Sequence, residues 1–424
     1  MKKILFKMLK ILATKILKKY RPLVIGITGS VGKTSTKEAI YALLRGHFKV
    51  RRNIKNYNNE IGVPLTIIGV ETGNKNIFKW ISIFFKALEL IIVKDKEYPE
   101  MLVLEMGADK QGDIKYLVTL VPCDISVVTA ISRVHYEFFK SLESIIEEKG
   151  EIVKHLRDSH IAILNSDDPN VMKMKDMTKA KVLTYGLAEY STFKASDIKL
   201  SYKLDEVGTS FKLEYDGNTL PIFLPNALGP MQVKAMLAAL AVGVSLKVSL
   251  LELIDDINKY QVPLGRTNLI KGIKNTLIID DTYNSSPISS KAALDILKEA
   301  LPKENGKRLA IFGEMLELGT YTEAGHREVG EKTAELGIDV LICVGEKTRD
   351  IIRGARNKGM SEDHVFYFSN NKEAGTFIQN RLHENDLVLI KGSQGARMEQ
   401  ITKELMAEPL KAGEILIRQT AEWL

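Results

Sequence analysis

Short apolar runs alternate with helical patterns along most of this 424-residue chain. Runs in the first half have the length and composition of buried strands: 23–27, 101–104, 125–131 and 161–164. Runs in the second half predict further strands at about 276–280, 308–312, 339–344 and 386–391. Because stretches with helical spacing separate these runs, the pattern predicts an α/β protein with parallel sheets.

Residues 195–224 break this alternation. Apolar and polar positions alternate there, with turn signals at 206–208 and 216–218, which predicts a small antiparallel β insertion at about 195–225. The stretch Val-Pro-Leu-Gly-Arg at 262–266 then predicts an interdomain linker. We therefore expect three parts: a helix over 1–21, a first domain over 22–262 and a second domain over 263–424.

Two helical patterns are strongly apolar but are interrupted by charges. Residues 2–20 have lysines between regularly spaced Ile and Leu, and residues 77–93 contain charges among their aromatic side chains. Neither stretch therefore predicts a membrane span, and no small-residue cleavage site follows residues 2–20. A Lys-rich face opposite an apolar face is typical of a helix that lies on an anionic membrane, with Trp80 and Phe84 as further anchors. The alternative is that the two helices pack on each other and cover the core.

The net charge of +7 is concentrated at one end of the chain. Residues 1–55 contain fifteen Lys and Arg against the single acid Glu38, so the rest of the chain has a net charge of −7. A nucleic-acid-binding surface would instead spread basic and aromatic residues over one face. The two cysteines, Cys123 and Cys343, exclude a disulfide framework or Cys-based zinc site and indicate a reducing compartment.

Residues 23–37 combine a strand, a glycine-rich turn and the start of a helix, which together form an anion site. Lys33 would reach the β- and γ-phosphates of a nucleotide, and the Thr34 hydroxyl would bind Mg²⁺. Ile27 stands where the general pattern has glycine, so the motif is the variant Thr-Gly-Ser-x-Gly-Lys-Thr. The residues predicted to bind ATP are Thr28, Gly29, Ser30, Val31, Gly32, Lys33, Thr34 and Ser35.

Polar side chains follow two other predicted strands. Glu105 ends the strand at 101–104, and His135 comes shortly after the strand at 125–131. Ligand sites of parallel sheets lie outside the carboxyl ends of the strands. A lone Glu or His is usually an ordinary surface or core residue, but both occur at the same sheet edge as the phosphate loop.

Taken together and in this order, the motifs resemble those of the Mur ligase family, ATP-dependent enzymes that join an amino acid or peptide to a carboxylate. The resemblance covers about residues 22–424. It implies a P-loop central ATPase domain with a parallel sheet and a small β insertion, followed by a C-terminal Rossmann-like α/β domain. The motifs are 28–34 (Thr-Gly-Ser-Val-Gly-Lys-Thr), 56–64 (Asn-Tyr-Asn-Asn-Glu-Ile-Gly-Val-Pro), 105–108 (Glu-Met-Gly-Ala), His135, 148–151 (Glu-Lys-Gly-Glu), 265–266 (Gly-Arg), 280–284 (Asp-Asp-Thr-Tyr-Asn), 313–319 (Gly-Glu-Met-Leu-Glu-Leu-Gly), His326 and 391–393 (Lys-Gly-Ser).

Within the family, the sequence is most similar to the enzymes of peptidoglycan synthesis that add D-alanyl-D-alanine to a UDP-MurNAc-tripeptide. The resemblance implies that ATP converts a carboxylate into an acyl phosphate, from which an amine displaces phosphate. This first step brings two anions together, so cations must offset their repulsion. Lys33, Arg266 and two Mg²⁺ ions are the implied cations. The implied metal ligands are Thr34 and Glu105 for the first ion, and His135 for the second.

The resemblance also implies that Lys149 is carbamylated, since the resulting anion would support the second Mg²⁺ whereas an unmodified lysine would repel it. Without the resemblance, Lys149 would be interpreted as a solvated helical lysine among glutamates. Asp281 is the implied contact of the ATP ribose. The implied substrate residues are Asn58 and Asn59 for the acceptor, and Lys391, Ser393 and Arg397 for the incoming amine.

The sequence departs from the family pattern in three places. Met231 and Ala235 replace a His and an Asn of the usual motif before an Ala-rich helix, which puts the usual contacts near adenine in doubt. Ser285 and Ser286 replace the usual Ala-Asn after the ribose Asp motif. The separate N-terminal domain that holds the UDP-sugar is expected to be absent, because only residues 1–21 precede the ATPase core.

Several alternatives stay open at this point. One is another acid–amino-acid ligase on the same scaffold, such as a folylpolyglutamate synthase or a ligase for a different wall precursor. Another is a P-loop protein that is not a ligase and binds nucleic acid. A binding-only homologue is disfavoured because Lys33, Thr34, Glu105, His135 and Lys149 are all retained. We expect a cytoplasmic enzyme without a nucleic-acid partner, with residues 2–20 in contact with the inner face of an anionic membrane.

Overall fold

A computed structural model describes residues 2–54, 57–132, 139, 141–202, 207–300, 306–420 and 423, with side chains from residue 5 onward. In this part of the chain, the strands form one nine-stranded and one six-stranded sheet. We call the parts built around these sheets the first and second units. The predicted α/β fold with parallel-rich sheets is confirmed.

The first sheet has the strand order β2-β3-β1-β4-β5-β6-β7-β8-β9. Its strands are β1 (Leu23–Thr28), β2 (Val50–Arg52), β3 (Met101–Glu105), β4 (Ile125–Val128), β5 (Ile161–Asn165), β6 (Lys181–Gly186), β7 (Phe193–Ser201), β8 (Gly208–Tyr215) and β9 (Asn218–Pro225). Neighbours from β2 to β7 are parallel, and β7, β8 and β9 are antiparallel. The predicted β insertion therefore extends the parallel sheet at one edge.

Helices flank this sheet on both faces. They are α1 (Lys2–Tyr20), α2 (Lys33–Leu44), α3 (Gly62–Ile68), α4 (Ile77–Ile92), α5 (Asp113–Leu120), α6 (Leu142–Lys154), α7 (Pro169–Met172), α8 (Pro230–Ser245) and α9 (Leu250–Asp255). One apolar cluster packs under α1, α3, α4, α5 and α6, and a second lies under α2 and α8. The sheet is therefore covered on both sides, as expected for parallel strands.

The second sheet has the order β10-β11-β15-β12-β13-β14, and only β10 is antiparallel to its neighbour. Its strands are β10 (Asn268–Lys271), β11 (Leu277–Asp281), β12 (Arg308–Gly313), β13 (Val340–Val344), β14 (Val365–Phe368) and β15 (Leu387–Lys391). Its helices are α10 (Pro287–Glu299), α11 (Thr322–Glu335), α12 (Arg349–Asn357), α13 (Asn371–Arg381), α14 (Glu399–Leu405) and α15 (Ala412–Ile415).

Strand register brings the phosphate loop and Glu105 together. Strand β1 lies between β3 and β4, and Ile27 at its end is the register partner of Glu105 at the end of β3. On the other side, Thr28 pairs with Val128 at the end of β4. Three strands therefore end side by side, and the loops that leave them surround one point.

Helix α1 belongs to the core of the first unit. Leu9, Ala13 and Ile16 are fully buried, and α1 packs against both α3 and α4. At its end, the Lys19 ammonium donates hydrogen bonds of 2.7–3.0 Å to three carbonyl oxygens at the end of α4. The Tyr20 ring stacks on Tyr98 with a centroid separation of 4.0 Å. Packing of the two apolar helices on each other, the alternative to a membrane helix, is what the structure shows.

The two side chains expected to anchor the second apolar helix, Trp80 and Phe84, are not its most exposed ones. Trp80 and Phe84 are partly buried and pack against the core of the first unit. Instead, Phe78 and Phe85 are exposed to solvent. A strongly apolar helix does not reveal from sequence alone which of its sides faces the sheet. Within the described residues, no helix is long and apolar enough to span a bilayer.

Replacing Ile16 with alanine should lower the free energy of unfolding by about 2–5 kcal/mol, because the change leaves a cavity at a fully buried site. Ile11 lies on the same helix but is 46% exposed, so Ile11→Ala should change the free energy of unfolding by about 0.5 kcal/mol or less. Urea unfolding followed by circular dichroism compares the two variants. Equal losses would contradict the packing of α1 described above.

Candidate active site

The phosphate loop is held in a conformation that only glycine permits at two positions. Gly29 has φ +146° and Gly32 has φ +90°, a region that other residues rarely adopt. A Cβ atom on Gly29 would also lie only 2.0 Å from the Thr129 hydroxyl oxygen. Gly32 precedes α2 and no side chain caps that helix, so its first N–H groups face the loop and are available to an anion.

The loop after β4 braces the phosphate loop. The Thr129 hydroxyl donates to the Val31 carbonyl oxygen at 2.7 Å, and the Ser30 N–H donates to the Ala130 carbonyl oxygen at 2.6 Å. The Asn165 side-chain amide at the end of β5 donates a 2.6 Å hydrogen bond to the Thr129 carbonyl oxygen, which fixes Thr129. No sequence motif includes Thr129, although it directly follows strand β4, as Glu105 directly follows the predicted strand at 101–104.

Lys33 extends back over the phosphate loop. Its ammonium donates to the carbonyl oxygens of Gly29 at 2.8 Å and Ser30 at 3.4 Å. Burial lowers the pKa of Lys33, the charge of Arg266 acts in the same direction, and the charge of Glu105 opposes both. The Lys33 ammonium therefore lies close to the Arg266 guanidinium, and phosphates bound to the loop would neutralise both charges.

Glu105 is fixed by polar neighbours on every side. One carboxylate oxygen accepts a hydrogen bond of 3.0 Å from the Thr34 hydroxyl, and the other accepts one of 3.2 Å from the Asn58 amide. The fully buried Asn53 bonds both the N–H and the carbonyl oxygen of Glu105, at 2.9 and 3.0 Å. Asn53 is a positioning residue that the sequence analysis did not identify.

The Thr34 hydroxyl and the Glu105 carboxylate fit a magnesium ion. Mg²⁺ prefers oxygen ligands and is usually held by one or two carboxylates together with substrate phosphates and water. Among the described residues, no three His, Cys, Asp or Glu side chains converge on one point. The donor set at the phosphate loop therefore suits an ion that shares its coordination with a nucleotide. His135, the expected ligand of a second ion, lies outside the described residues.

Lys149 is buried rather than solvated. It lies on α6, is only 2% exposed and lines the same cavity as Lys33. Burial, with the charge of Lys33 acting in the same direction, lowers the pKa of Lys149 to about 7. None of the described carboxylates forms an ion pair with it. The neighbouring Glu148 instead accepts two 2.6 Å bonds from backbone N–H groups at the start of α5.

A cavity of about 640 Å³ separates the two units, and both contribute to its walls. The first unit lines it with residues 30–34, Asn58, Asn59, Glu105, 107–109 and Lys149. The second unit and the segment that leads into it line the cavity with Arg266, 283–286, Ser289, 316–318, 393–395 and Trp423. The cavity thus brings together most of the residues that were predicted from separate motifs.

Arg266 reaches this cavity from the segment that joins the units. Its guanidinium lies 4.2 Å from the centre of the Tyr283 ring, and its backbone carbonyl oxygen accepts a 3.2 Å bond from Gln232 on α8. The Arg266 Nε atom is buried and has no hydrogen-bond partner among the described residues. A buried, unpartnered cationic donor on the wall of a cavity suits an anionic ligand.

Two predicted binding residues pair with each other instead of lining the cavity. The Lys391 ammonium lies 2.6 Å from the Asp281 carboxylate and 2.9 Å from the Asn284 carbonyl oxygen. Lys391 is only 1% exposed, and burial lowers its pKa against the opposing charge of Asp281. Their contact follows from the register of β11 and β15, in which Asp281 and Lys391 are partners.

Other predicted residues support the cavity from behind or sit directly on it. Thr28 is buried and donates to the Met106 carbonyl oxygen at 2.9 Å, and Ser35 is buried within α2.

In the second unit, Arg397 pairs with Glu399 at 2.6 Å and donates to the carbonyl oxygen of Trp423. Ser393 does line the cavity, and its hydroxyl oxygen accepts a 2.9 Å bond from the Leu316 N–H.

A second, mainly apolar cavity of about 260 Å³ adjoins the other side of the phosphate loop. Val31, Thr129 and Tyr185 line it from the first sheet, and Met231 and Ala235 line it from α8. Lys234, also on its wall, is paired with Asp167 at 2.8 Å. A flat heteroaromatic group attached to phosphates on the loop would suit a cavity of this shape and polarity.

Models of one protein family match most of the chain. The Mur ligase middle domain matches residues 27–78 and 87–243, and the model described as Mur ligase, glutamate ligase domain matches residues 265–394. These ranges include the residues that line both sides of the cavity between the two units.

Individual relatives are similar over nearly the whole chain. The UDP-N-acetylmuramoyl-tripeptide–D-alanyl-D-alanine ligase of Bacillus subtilis is 32% identical over 387 residues, which are 91% of this chain and 76% of that protein. The Escherichia coli ligase of the same name is 30% identical, covering 90% of this chain and 76% of that protein. The crystal structure of the MurF ligase from Thermotoga maritima in complex with ADP is 28% identical, with a TM-score of 0.77, and the match covers 94% of this chain and 83% of that one. With this similarity on both sides of the cleft, the chain belongs to the Mur ligase family.

Proposed function

We propose that this protein is an ATP-dependent, ADP-forming ligase of peptidoglycan precursor synthesis that joins D-alanyl-D-alanine to a UDP-MurNAc-tripeptide. The observation on which this rests is the cavity between the units, where Lys33 and Arg266 face a phosphate loop and its Thr34–Glu105 pair. The relatives that carry this name in Bacillus subtilis and Escherichia coli supply the substrates. They favour this function over a folylpolyglutamate synthase, a ligase for another precursor or a nucleic-acid-binding protein.

In the first step, a carboxylate oxygen of the tripeptide attacks the γ-phosphorus of ATP, and ADP leaves. Both reactants are anionic, so their approach requires positive charge around the transferring group. Lys33, the start of α2 and the guanidinium of Arg266, whose Nε has no hydrogen-bond partner among the described residues, supply that charge. A Mg²⁺ ion held by Thr34 and Glu105 would neutralise further phosphate charge.

In the second step, the amine of D-alanyl-D-alanine attacks the carbonyl carbon of the acyl phosphate, loses a proton, and phosphate leaves. We assign Asn58 and Asn59 to the acceptor and Ser393 to the incoming amine, since all three line the cavity. Lys391 and Arg397 lie behind that wall, so they would act by holding Asp281 and Trp423 in place. The two substrates thus approach from opposite units, and their reacting atoms meet inside a cleft that restricts water.

The adenine ring would occupy the second cavity, next to Met231. Asp281 would reach the ribose only if Lys391 shared or released the Asp281 carboxylate.

We also propose that residues 22–262, with the β insertion at about 195–225, and residues 263–424 act as two separate domains joined at 262–266. The enzyme would work in the cytoplasm, with residues 2–20 close to the inner face of the membrane.

Lys149 is proposed to be a carbamate, and His135 a ligand of a second Mg²⁺ ion. The supporting observations are that Lys149 is buried, lines the reaction cavity and has no ion-pair partner among the described residues. A lysine whose pKa is lowered to about 7 is largely neutral above that pH, and the neutral amine is the form that reacts with carbon dioxide. Carbamylation would convert this buried amine into an anion.

The activity is tested by incubating the purified protein with ATP, Mg²⁺, UDP-MurNAc-tripeptide and D-alanyl-D-alanine. Mass spectrometry should detect the UDP-MurNAc-pentapeptide, and ADP should form in equal amount. Parallel reactions with a folate and glutamate test the main rival. A folylpolyglutamate product without any pentapeptide would overturn the proposed function.

Lys33→Ala should reduce ADP formation by about a thousandfold, because it removes a charge aimed at the transferring phosphate. The exposed Lys115 on α5 provides the matched control, and Lys115→Ala should retain normal activity. Thermal unfolding checks that both variants are folded. A folded Lys33→Ala protein with nearly normal ADP release would refute this role.

Lys149→Ala should be nearly inactive, and a small carboxylate such as acetate should restore part of the activity by occupying the vacated site. Lys149→Arg should not be active, since arginine does not form the same carbamate. Lys154→Ala, at an exposed position of the same helix, is the control.

A second measurement is independent of activity. After growth or incubation with ¹³C-bicarbonate, wild-type protein should show a carbamate carbon signal by NMR, and the Lys149→Ala protein should lack it. Full activity of Lys149→Arg, together with no carbamate signal in the wild type, would rule out the modification.

A further inference from the structure

Helix α4 has large apolar side chains along its solvent side. They are Ile77, Phe78, Ile81, Phe85, Leu88 and Ile92, which we call the α4 stripe. Their spacing of three or four residues places them on one side of the helix, while Ile83, Ala87 and Leu90 are buried on the other. Phe78 is 78% exposed and Phe85 is 68% exposed. Continuous apolar surface of this kind on a soluble domain marks a site of contact with another surface.

Lysines outnumber acids on α1 and α4, and the acids Asp95 and Glu97 follow directly after α4. Residues 2–20 and 75–94 together contain eleven lysines and a single acid, Glu89. That acid is already paired with Lys86 at 3.1 Å. An apolar stripe bordered by lysines is complementary to the acyl chains and anionic headgroups of a lipid bilayer.

Helix α1 contributes exposed lysines together with two exposed apolar side chains, Met8 and Ile11. Its apolar side is buried against α3 and α4, and its exposed stripe contains Lys7, Lys15 and Lys18. These lysines lie eight and three residues apart and therefore on one side of the helix. Because the Lys19 ammonium and Tyr20 hydroxyl bind carbonyl oxygens at the end of α4, the two helices are fixed to each other.

Part of this surface lies outside the matched middle-domain model: α1, and Ile81 and Phe85 of the stripe. The middle-domain model begins at residue 27 and leaves out residues 79–86, the central turns of α4. Both α1 and the middle of the α4 stripe are therefore additional to the matched ATPase core. None of these side chains lines the cavity between the units.

We propose that the α4 stripe inserts into the interface of an anionic bilayer while the lysines of α1 bind its headgroups. A second copy of the chain is a poorer occupant, because a symmetric contact would bring the same lysine-rich surfaces together and like charges would repel. The sequence predicted that the apolar side of α1 contacts the membrane. The proposed contact is instead made by the outer side of α4. This inference does not depend on the proposed ligase activity.

The test is co-sedimentation of the full chain with vesicles of phosphatidylcholine alone or mixed with phosphatidylglycerol, over a series of salt concentrations. Wild-type protein should pellet with the anionic vesicles at low salt, and the bound fraction should fall as salt rises. The double variant Phe78→Ala, Phe85→Ala should bind at least about tenfold more weakly, because it removes the two most exposed aromatic side chains of the stripe. Phe223→Ala, at an exposed phenylalanine of β9, is the matched control and should bind like the wild type.

The charge contribution is tested with Lys7, Lys15 and Lys18 all changed to glutamine. Since each lysine near an anionic surface strengthens binding about fivefold, this variant should bind roughly a hundredfold more weakly at low salt. Unchanged thermal unfolding of both variants separates loss of binding from loss of folding. Wild-type protein that stays in the supernatant with anionic vesicles at low salt overturns the proposal. So does sedimentation equilibrium showing a dimer that the phenylalanine variant abolishes, without any vesicle binding.

Discussion

The burial of several cationic side chains in one cleft governs the chemistry of this protein. Lys33, Lys149 and Arg266 all line the same cavity, and Glu105 and Asp109 are the carboxylates of the first unit on its wall. Burial is the main cause that lowers the pKa of Lys33 and of Lys149. The charge of Arg266 adds to this effect on Lys33, the charge of Lys33 adds to it on Lys149, and the Glu105 carboxylate opposes both shifts. Such an arrangement is stable only because other interactions hold the cations in place. It favours any polyanion that enters, and ATP with a peptide carboxylate meets that requirement.

Those other interactions are mostly buried hydrogen bonds made by residues behind the phosphate loop and the cavity wall. Asn53 fixes the backbone of Glu105, Thr129 fixes the phosphate loop, and Glu148 fixes the start of α5 beside Lys149. Buried polar groups of this kind are expensive to leave unpaired, so each one defines a single local geometry. The reactive side chains can therefore be held close together without relaxing apart.

Sequence patterns predicted the elements near the site better than the contacts within it. The runs that became β1, β3, β4 and β5 were recognisable because both of their faces are buried, which leaves a continuous apolar signal. Strand β2 was missed because two of its three residues are arginines, and β14 because it is a short strand at the edge of its sheet. No local pattern contains the pairing of Asp281 with Lys391, since more than a hundred residues separate them and only the β11–β15 register brings them together. Likewise, the apolar composition of α4 did not distinguish its buried side from its exposed side.

The close approach of Gly29 to Thr129 limits how this sequence can vary. Any side chain at position 29 would collide with the Thr129 hydroxyl, and a residue without a hydroxyl at position 129 would lose the bond that holds the Val31 carbonyl. The positive φ of Gly29 disfavours other residues even if that space is vacated. The two positions, a hundred residues apart in the chain, are therefore constrained together: position 29 requires glycine, and position 129 requires a short side chain with a hydroxyl, which only threonine and serine supply.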